Sequence, residues 1–183
     1  MYGMVNQAVR GLVLDNYGAD TWEQIRLKAD APESFVSMQA YDDSVTYKLV
    51  GSAVEILDTP ADKILYAFGE YWVNKIATVG YAELMSKTGT DFVDFVKNLD
   101  HMHSRIKATF PGYQPPSFRV KELSDDTLQL DYYSKREGLL PFVEGLMVAV
   151  GKHFGCSVNI TPVDDAQNPM PSKRMVLTYK KDL

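Results

Sequence analysis

One of the three histidines in this 183-residue chain lies on an apolar helical face. Across 90–110, Phe92, Phe95, Val96, Leu99, Met102, His103 and Ile106 recur at steps of three and four, so at about 100° per residue they share one side of a helix. His101 points about 200° away from His103 and faces solvent with Asp94, Lys97 and Lys107. An imidazole within such a stripe is either a neutral, hydrogen-bonded core member or an axial ligand. Its Phe, Leu and Met neighbours lack the mixed ligand set of a zinc or magnesium site and suit a large apolar cofactor such as haem.

A second cluster lies in Asp-Tyr-Tyr-Ser-Lys-Arg, residues 131–136. Tyr132, Ser134 and Arg136 stand at period two, on one face if a strand continues through them. Two hydroxyls and a guanidinium at steps of about 7 Å can clamp a pair of carboxylates, the guanidinium by two-point contact. The plainer alternative is an edge strand with a solvated polar face. Haem carries two propionates, so the histidine helix and the three-donor strand make two halves of one haem site. Other chemistries find no residues: there is no G-x-G-x-x-G, Walker loop, H-E-x-x-H or paired C-x-x-C. A chelate by His101 and His103 is disfavoured because a helix splays them apart.

Elements that position these groups follow from periodicity and caps. Thr90 as N-cap and Pro111-Gly112 as terminator bound the central helix. Before it, Val5, Ala8, Val9, Leu12 and Val13 form a helix ending near Gly18, and Thr21-Trp22-Glu23-Gln24 reads as a capping box for a short helix to Ala29. A third helix opens near Asp43 or Ser44, and Thr59-Pro60-Ala61-Asp62 starts a fourth carrying Ile64, Leu65, Phe68, Trp72 and Ile76 as far as Gly80. Alternation over 117–123 and 127–133 predicts a hairpin, followed by a helix with Leu139, Phe142, Val143, Leu146, Met147 and Val150. Strands near 156–161 and 174–180 finish the chain, joined by a polar loop from Asp164 to Ser172. The class is α+β: a helical N-terminal half and a C-terminal half with a four-stranded antiparallel sheet, with haem buried between them.

Length fits one domain, residues 1–183, with a helical subdomain over about 1–60 and a second over about 61–183. Twenty-four acidic against 19 basic residues give net −5, which argues against nucleic acid as a partner. The single Cys156 forms no internal disulfide, and neither a secretory h-region nor a membrane span is apparent, so the expected location is the cytoplasm.

With these residues in view, the chain resembles the haem nitric oxide/oxygen-binding (H-NOX) family, which includes the haem domain of the soluble guanylate cyclase beta subunit. Matching segments are MYGMVNQA at the start, YDDSVTYKLV at 41–50, FGEYW at 68–72, NLDHMH at 98–103, PGYQPPSF at 111–118 and YYSKREGL at 132–139. The resemblance implies haem b with His103 as the proximal iron ligand, Tyr132, Ser134 and Arg136 on the propionates, and Pro116 pressing on the porphyrin. It implies a gas sensor rather than an enzyme. On its distal side, Phe142 takes the position where oxygen-binding members carry a tyrosine donor; Trp72, Val5 and Met4 complete the wall.

Phenylalanine cannot donate to bound dioxygen, whereas nitric oxide and carbon monoxide need a donor less, so the expected ligands are nitric oxide and carbon monoxide. The expected trigger is a weakened iron–histidine bond, relayed by movement of the central helix to an effector in trans, a histidine kinase or cyclic-nucleotide enzyme. Two alternatives stand beside it. One is an oxygen sensor in which the Trp72 indole donates; the other is a haem enzyme such as a peroxidase, which would require a distal acid–base group.

Overall fold

The computed structural model describes residues 1–110, 112–163 and 172–182. Helices α1 (Gly3–Lys28), α2 (Asp43–Leu57) and α3 (Ala61–Tyr71) come first. Helix α3 runs through a π-helix (Trp72–Ala77) into a last turn, α4 (Thr78–Gly80). Then follow α5 (Ala82–Thr88), α6 (Phe92–Thr109), β1 (Ser117–Ser124), β2 (Thr127–Tyr133), α7 (Leu140–His153), β3 (Cys156–Val163) and β4 (Ser172–Lys181). The strands form one antiparallel sheet in the order β1-β2-β4-β3, with Phe118 paired to Tyr132. This is the helical half and four-stranded sheet expected. The loop expected from Asp164 to Ser172 lies outside the described residues save its last residue, which opens β4, and Pro111 lies outside them too.

Local chemistry places some boundaries differently from the expectation. Asp91, not Thr90, caps α6: its carboxylate accepts from Asp94 N at 2.9 Å, and Asp94 accepts in turn from Thr90 N at 3.2 Å. The first two expected helices do part at Gly18: α1 is two helical segments meeting at a kink there, where the φ of 84° and ψ of 174° are non-helical and only glycine adopts them without strain. Thr21 does not cap a new helix there, because its hydroxyl donates to the Tyr17 carbonyl at 2.8 Å. Likewise Thr59 donates to the Leu57 carbonyl at 2.9 Å, and α3 opens behind Pro60 as the flanking residue.

Two apolar cores result. The helical one gathers Val9, Val13, Ile25, Leu49, Ala53 and Phe68; the other lies between the sheet and α6 and α7, around Phe92, Val96, Leu130, Met147 and Leu177. Burying each such side chain contributes about 1.5–3 kcal/mol before entropy is counted. The helix through α3 and the π-helix serves both. Trp72 and Ile76 pack on the helical core, while Val73 and Ala77 pack on the other. A π-helix carries extra residues per turn, and that changes which face each side chain meets.

Helices α3 and α7 touch backbone to backbone. A methyl group on Gly69 would fall 2.2 Å from the Phe142 carbonyl oxygen, and one on Gly145 would fall 2.1 Å from that of Tyr66. Gly145→Ala is therefore expected to destabilise the fold by about 1–3 kcal/mol, as overpacking does. Gly51→Ala, on α2 with nothing within 4 Å of the added methyl group, is expected to stabilise it by about 0.5–1 kcal/mol. Thermal unfolding of the two variants checks the opposite signs.

Candidate cofactor site

His103 sits two-thirds of the way along α6, half-buried, with Nδ1 fully enclosed and without a hydrogen-bond partner. Its ring lies 5.6 Å from that of Phe118 at 30° and 6.3 Å from that of Tyr113 at 66°. Phe118 in turn stacks on Tyr132 at 5.5 Å. Asp100, one turn before His103, ties α6 to β1 by accepting from Phe118 N at 2.9 Å. Burial lowers the imidazole pKa to about 4, against the opposing pull of the Asp100 carboxylate. The ring is consequently neutral at physiological pH, the form that ligates metal. A satisfied core histidine would show a partner for Nδ1, and this one does not.

The strand half of the site is arranged otherwise than its spacing implied. Strand β2 ends at Tyr133, so Ser134 and Arg136 do not continue its alternation. They are held by a turn in which Ser134 Oγ accepts from Arg136 N at 3.0 Å. Tyr132 is buried on β2, and that burial raises its phenol pKa against the effects of Ser134 and the Arg136 charge. Arg136 donates through Nε to Asp43 Oδ2 at 2.7 Å, through Nη2 to Asp43 Oδ1 at 3.3 Å and through Nη1 to the Gln114 carbonyl at 2.8 Å. Its fork thus already grips a carboxylate in two-point fashion.

Asp43 was not singled out in the sequence. Its carboxylate also accepts from the Met1 amino group at 2.6 Å. Burial pulls its pKa up, but Arg136 and the amino group outweigh that, leaving it below the ordinary carboxylate value. The only local signal was its place at the start of α2; its partner lies 93 residues away. Pro116 is half-buried in the loop that enters β1. Tyr113 of that loop packs on Tyr2 at 6.1 Å.

Three of the four expected distal residues converge. Phe68 meets Phe142 at 5.0 Å and Trp72 edge-on at 6.2 Å, and Val5 packs into the same core. Met4 is half-buried, with its N–H donating to the Ser37 carbonyl at 2.9 Å, and is not part of that cluster. Asn6 was missed. It is fully buried, accepts from Thr46 Oγ1 at 2.6 Å, and its Nδ2 is the other enclosed atom without a partner among the described residues. One polar residue inside an apolar stripe gives no sequence signal of such burial.

These groups fit haem. Among the described residues no cluster of His, Cys, Asp and Glu is able to hold a metal ion. A lone neutral histidine therefore suits an iron whose remaining in-plane ligands come from a porphyrin. Cavities of about 370 Å³ beside α5 and α7 and about 230 Å³ among α1, α2 and α3 lie away from His103, whose ring is flanked by Tyr113 and Phe118. A cofactor at His103 has to displace side chains there.

The His103 shift has a signed consequence. Its folded pKa of about 4 lies below the ordinary 6.5, so the unfolded chain binds more protons between those values. The cofactor-free chain is expected to lose stability as pH falls through that window. Replacing His103 with Phe is expected to flatten the slope relative to the parent, as measured by denaturant melts at successive pH values.

Comparison with known proteins agrees with this geometry. The sequence model of the family described as haem-NO-binding matches residues 2–162. Soluble guanylate cyclase gcy-33 of Caenorhabditis elegans is 33% identical over 155 residues, covering 84% of this chain and 16% of that protein. Soluble guanylate cyclase gcy-32 of the same organism is 33% identical over 159 residues, covering 83% and 23%. The chain thus spans less than a quarter of the length of these relatives. The H-NOX protein of S. oneidensis in the Fe(II)NO ligation state superposes with a TM-score of 0.87 at 21% identity, covering 99% of this chain and 100% of that one. Unliganded Fe(II) H-NOX from K. algicida gives 0.84 at 21% identity, covering 100% and 98%, and at such identity both show the shared fold. The chain belongs to the haem-NO-binding, or H-NOX, family of haem-binding gas-sensor domains.

Proposed function

We propose that this domain senses nitric oxide, and binds carbon monoxide, at a ferrous haem held by His103. Haem bound there supplies an iron with one open position for a diatomic gas. The observation that carries the reading is the neutral imidazole whose enclosed Nδ1 lacks a protein partner, set in an aromatic wall. Tyr132, Ser134 and Arg136 hold the propionates in this reading. Arg136 does so by sharing or exchanging the carboxylate that Asp43 now offers it. Pro116 presses on the macrocycle from the loop before β1.

In this reading Phe142, Trp72 and Val5 form the distal wall, with Met4, which lies outside their cluster, beside Val5 at its edge. Phe142 places no donor beside the gas, a selective disadvantage for dioxygen. An oxygen-binding reading rests on Trp72, whose indole N–H belongs to the same aromatic group. A peroxidase reading has no support, because His153 is exposed at the far end of α7 against Phe154.

Signalling in this proposal runs through α6. As the hold of His103 loosens, α6 shifts against β1, and the helical subdomain of about 1–60 turns against residues 61–183. The domain itself is not an enzyme in this reading. Its output reaches a histidine kinase or a cyclic-nucleotide enzyme in the cytoplasm, with neither nucleic acid nor membrane as partner. No helix among the described residues is long and apolar enough to cross a membrane.

Absorption spectra of the reduced protein, alone, in air and with nitric oxide, test the proposal. Haem is expected to be present, to bind nitric oxide and to form no stable complex in air; a protein without haem would refute it. His103→Gly is expected to lose haem unless imidazole is added, and unchanged coordination would move the ligand elsewhere. Phe142→Tyr is expected to create a stable complex in air if position 142 faces the gas.

A further inference from the structure

Tyr71 is the last residue of α3 before the π-helix, and its side chain crosses to α1. A methyl group on Gly11 of α1 would fall 2.6 Å from Tyr71 Oη and 3.3 Å from Cζ, so the phenol fills the notch that the absent side chain leaves. Its hydroxyl donates to Asp15 Oδ2 at 3.0 Å, four residues further along the same face of α1. Burial and the Asp15 carboxylate both push the phenol pKa up, so the hydroxyl keeps its proton and stays the donor. Among the described residues this is the one side-chain hydrogen bond between α1 and α3. Asp15 is exposed and solvent competes for the bond; the notch supplies the fit and the bond supplies the direction.

Trp72 follows directly, where the backbone passes from α to π. Its N–H is shared between the Gly69 and Phe68 carbonyls, and no side chain caps the junction. One residue of register there turns the chain by about 100°. The indole lies edge-on to Phe68 at 6.2 Å and 83°, and Phe68 lies 5.0 Å from Phe142. Apolar contact is non-directional, so the angle of the indole is set by the backbone that carries it. Tyr71 holds that backbone, joined to Trp72 through a peptide bond and to another helix through its side chain.

We infer that Tyr71, seated on Gly11 and tied to Asp15, is a positioning residue that fixes where the Trp72 indole N–H points on the distal wall. The inference rests on the haem reading above. Trp72 is the one side-chain donor of the proposed wall, so its angle decides whether bound gas meets a hydrogen bond or a hydrocarbon edge. Tyr71 thus acts on gas discrimination without touching the gas.

Fluorine magnetic resonance of protein labelled with fluorotryptophan tests the clamp without haem, since the chain has 2 tryptophans, Trp22 and Trp72. Tyr71→Phe, Asp15→Ala and Gly11→Ala are each expected to shift or split the Trp72 resonance and to leave that of Trp22 in place. Asp15→Asn, which keeps an acceptor oxygen, is expected to retain the parental signal. In the haem-loaded protein, Tyr71→Phe is expected to shift the C–O stretching band of bound carbon monoxide and to quicken its release about fivefold, the worth of one net hydrogen bond. The same substitution in a Trp72→Phe background is expected to do neither. A Trp72 resonance unmoved by Tyr71→Phe and Gly11→Ala would overturn the inference, as would an effect on carbon monoxide that persists without Trp72. A parent that takes up no haem would overturn the haem reading, and the fluorine resonances would then judge the clamp alone.

Discussion

Contact between α3 and α7 at Gly69 and Gly145 is the constraint on which the functional geometry depends. With no Cβ on either side, the backbones approach until carbonyl oxygens of one helix occupy the space where a side chain on the other would begin. Interior packing at this density leaves neither helix free to slide without breaking the other's contacts. Phe68 and Trp72 on one helix and Phe142 on the other are consequently held in a fixed relation. Because α7 also packs on β3, the same contact fastens the helical core to the sheet.

Polar ties among the described residues differ in weight. Exposed pairs such as Lys87 with Glu83 contribute little, since solvent screens them and two long side chains must be ordered. Asp43 is a different case. It is half in the protein, accepts from both a guanidinium fork and an amino group, and opens α2 while its partner sits just past β2. Tyr47, one turn along α2, adds a hydrogen bond from its hydroxyl to the Glu137 carbonyl at 3.0 Å. The end of β2 and the start of α2 are thereby joined by geometry-dependent bonds, which break more abruptly on displacement than apolar contacts do.

Much of the fold was legible because it is written in local patterns. Steps of three and four gave α6 and α7, alternation gave the hairpin from β1 to β2, and the order of elements gave the sheet class. His103 stood out for the same reason, as the one titratable member of an apolar stripe. What stayed hidden depends on partners distant in sequence or on competition among near neighbours. Thr90, Thr21 and Thr59 all looked like caps, but an adjacent aspartate or a nearby carbonyl claimed the bond. Period two through Arg136 implied a strand that ends at Tyr133, since Ser134 turns the chain by bonding Arg136 N. Neither the carboxylate awaiting Arg136 nor the burial of Asn6 has any signature in its own neighbourhood.

The π-helix from Trp72 to Ala77 leaves a mechanical consequence of its own. It places a register offset within an otherwise α-helical rod, beginning at Trp72, the residue proposed for the distal wall. Removing one residue's worth of that offset turns the rod beyond it by about 100° and shifts it along its axis by about 1.5 Å. What lies beyond is Val79, 75% exposed, then Tyr81, and then α5 leading to the Asp91 cap of α6. The rod thus changes facing at one point: Trp72 and Ile76 turn to the helical core, Val73 and Ala77 to the other, and any turn of the segment beyond Trp72 has to be made against both cores at once.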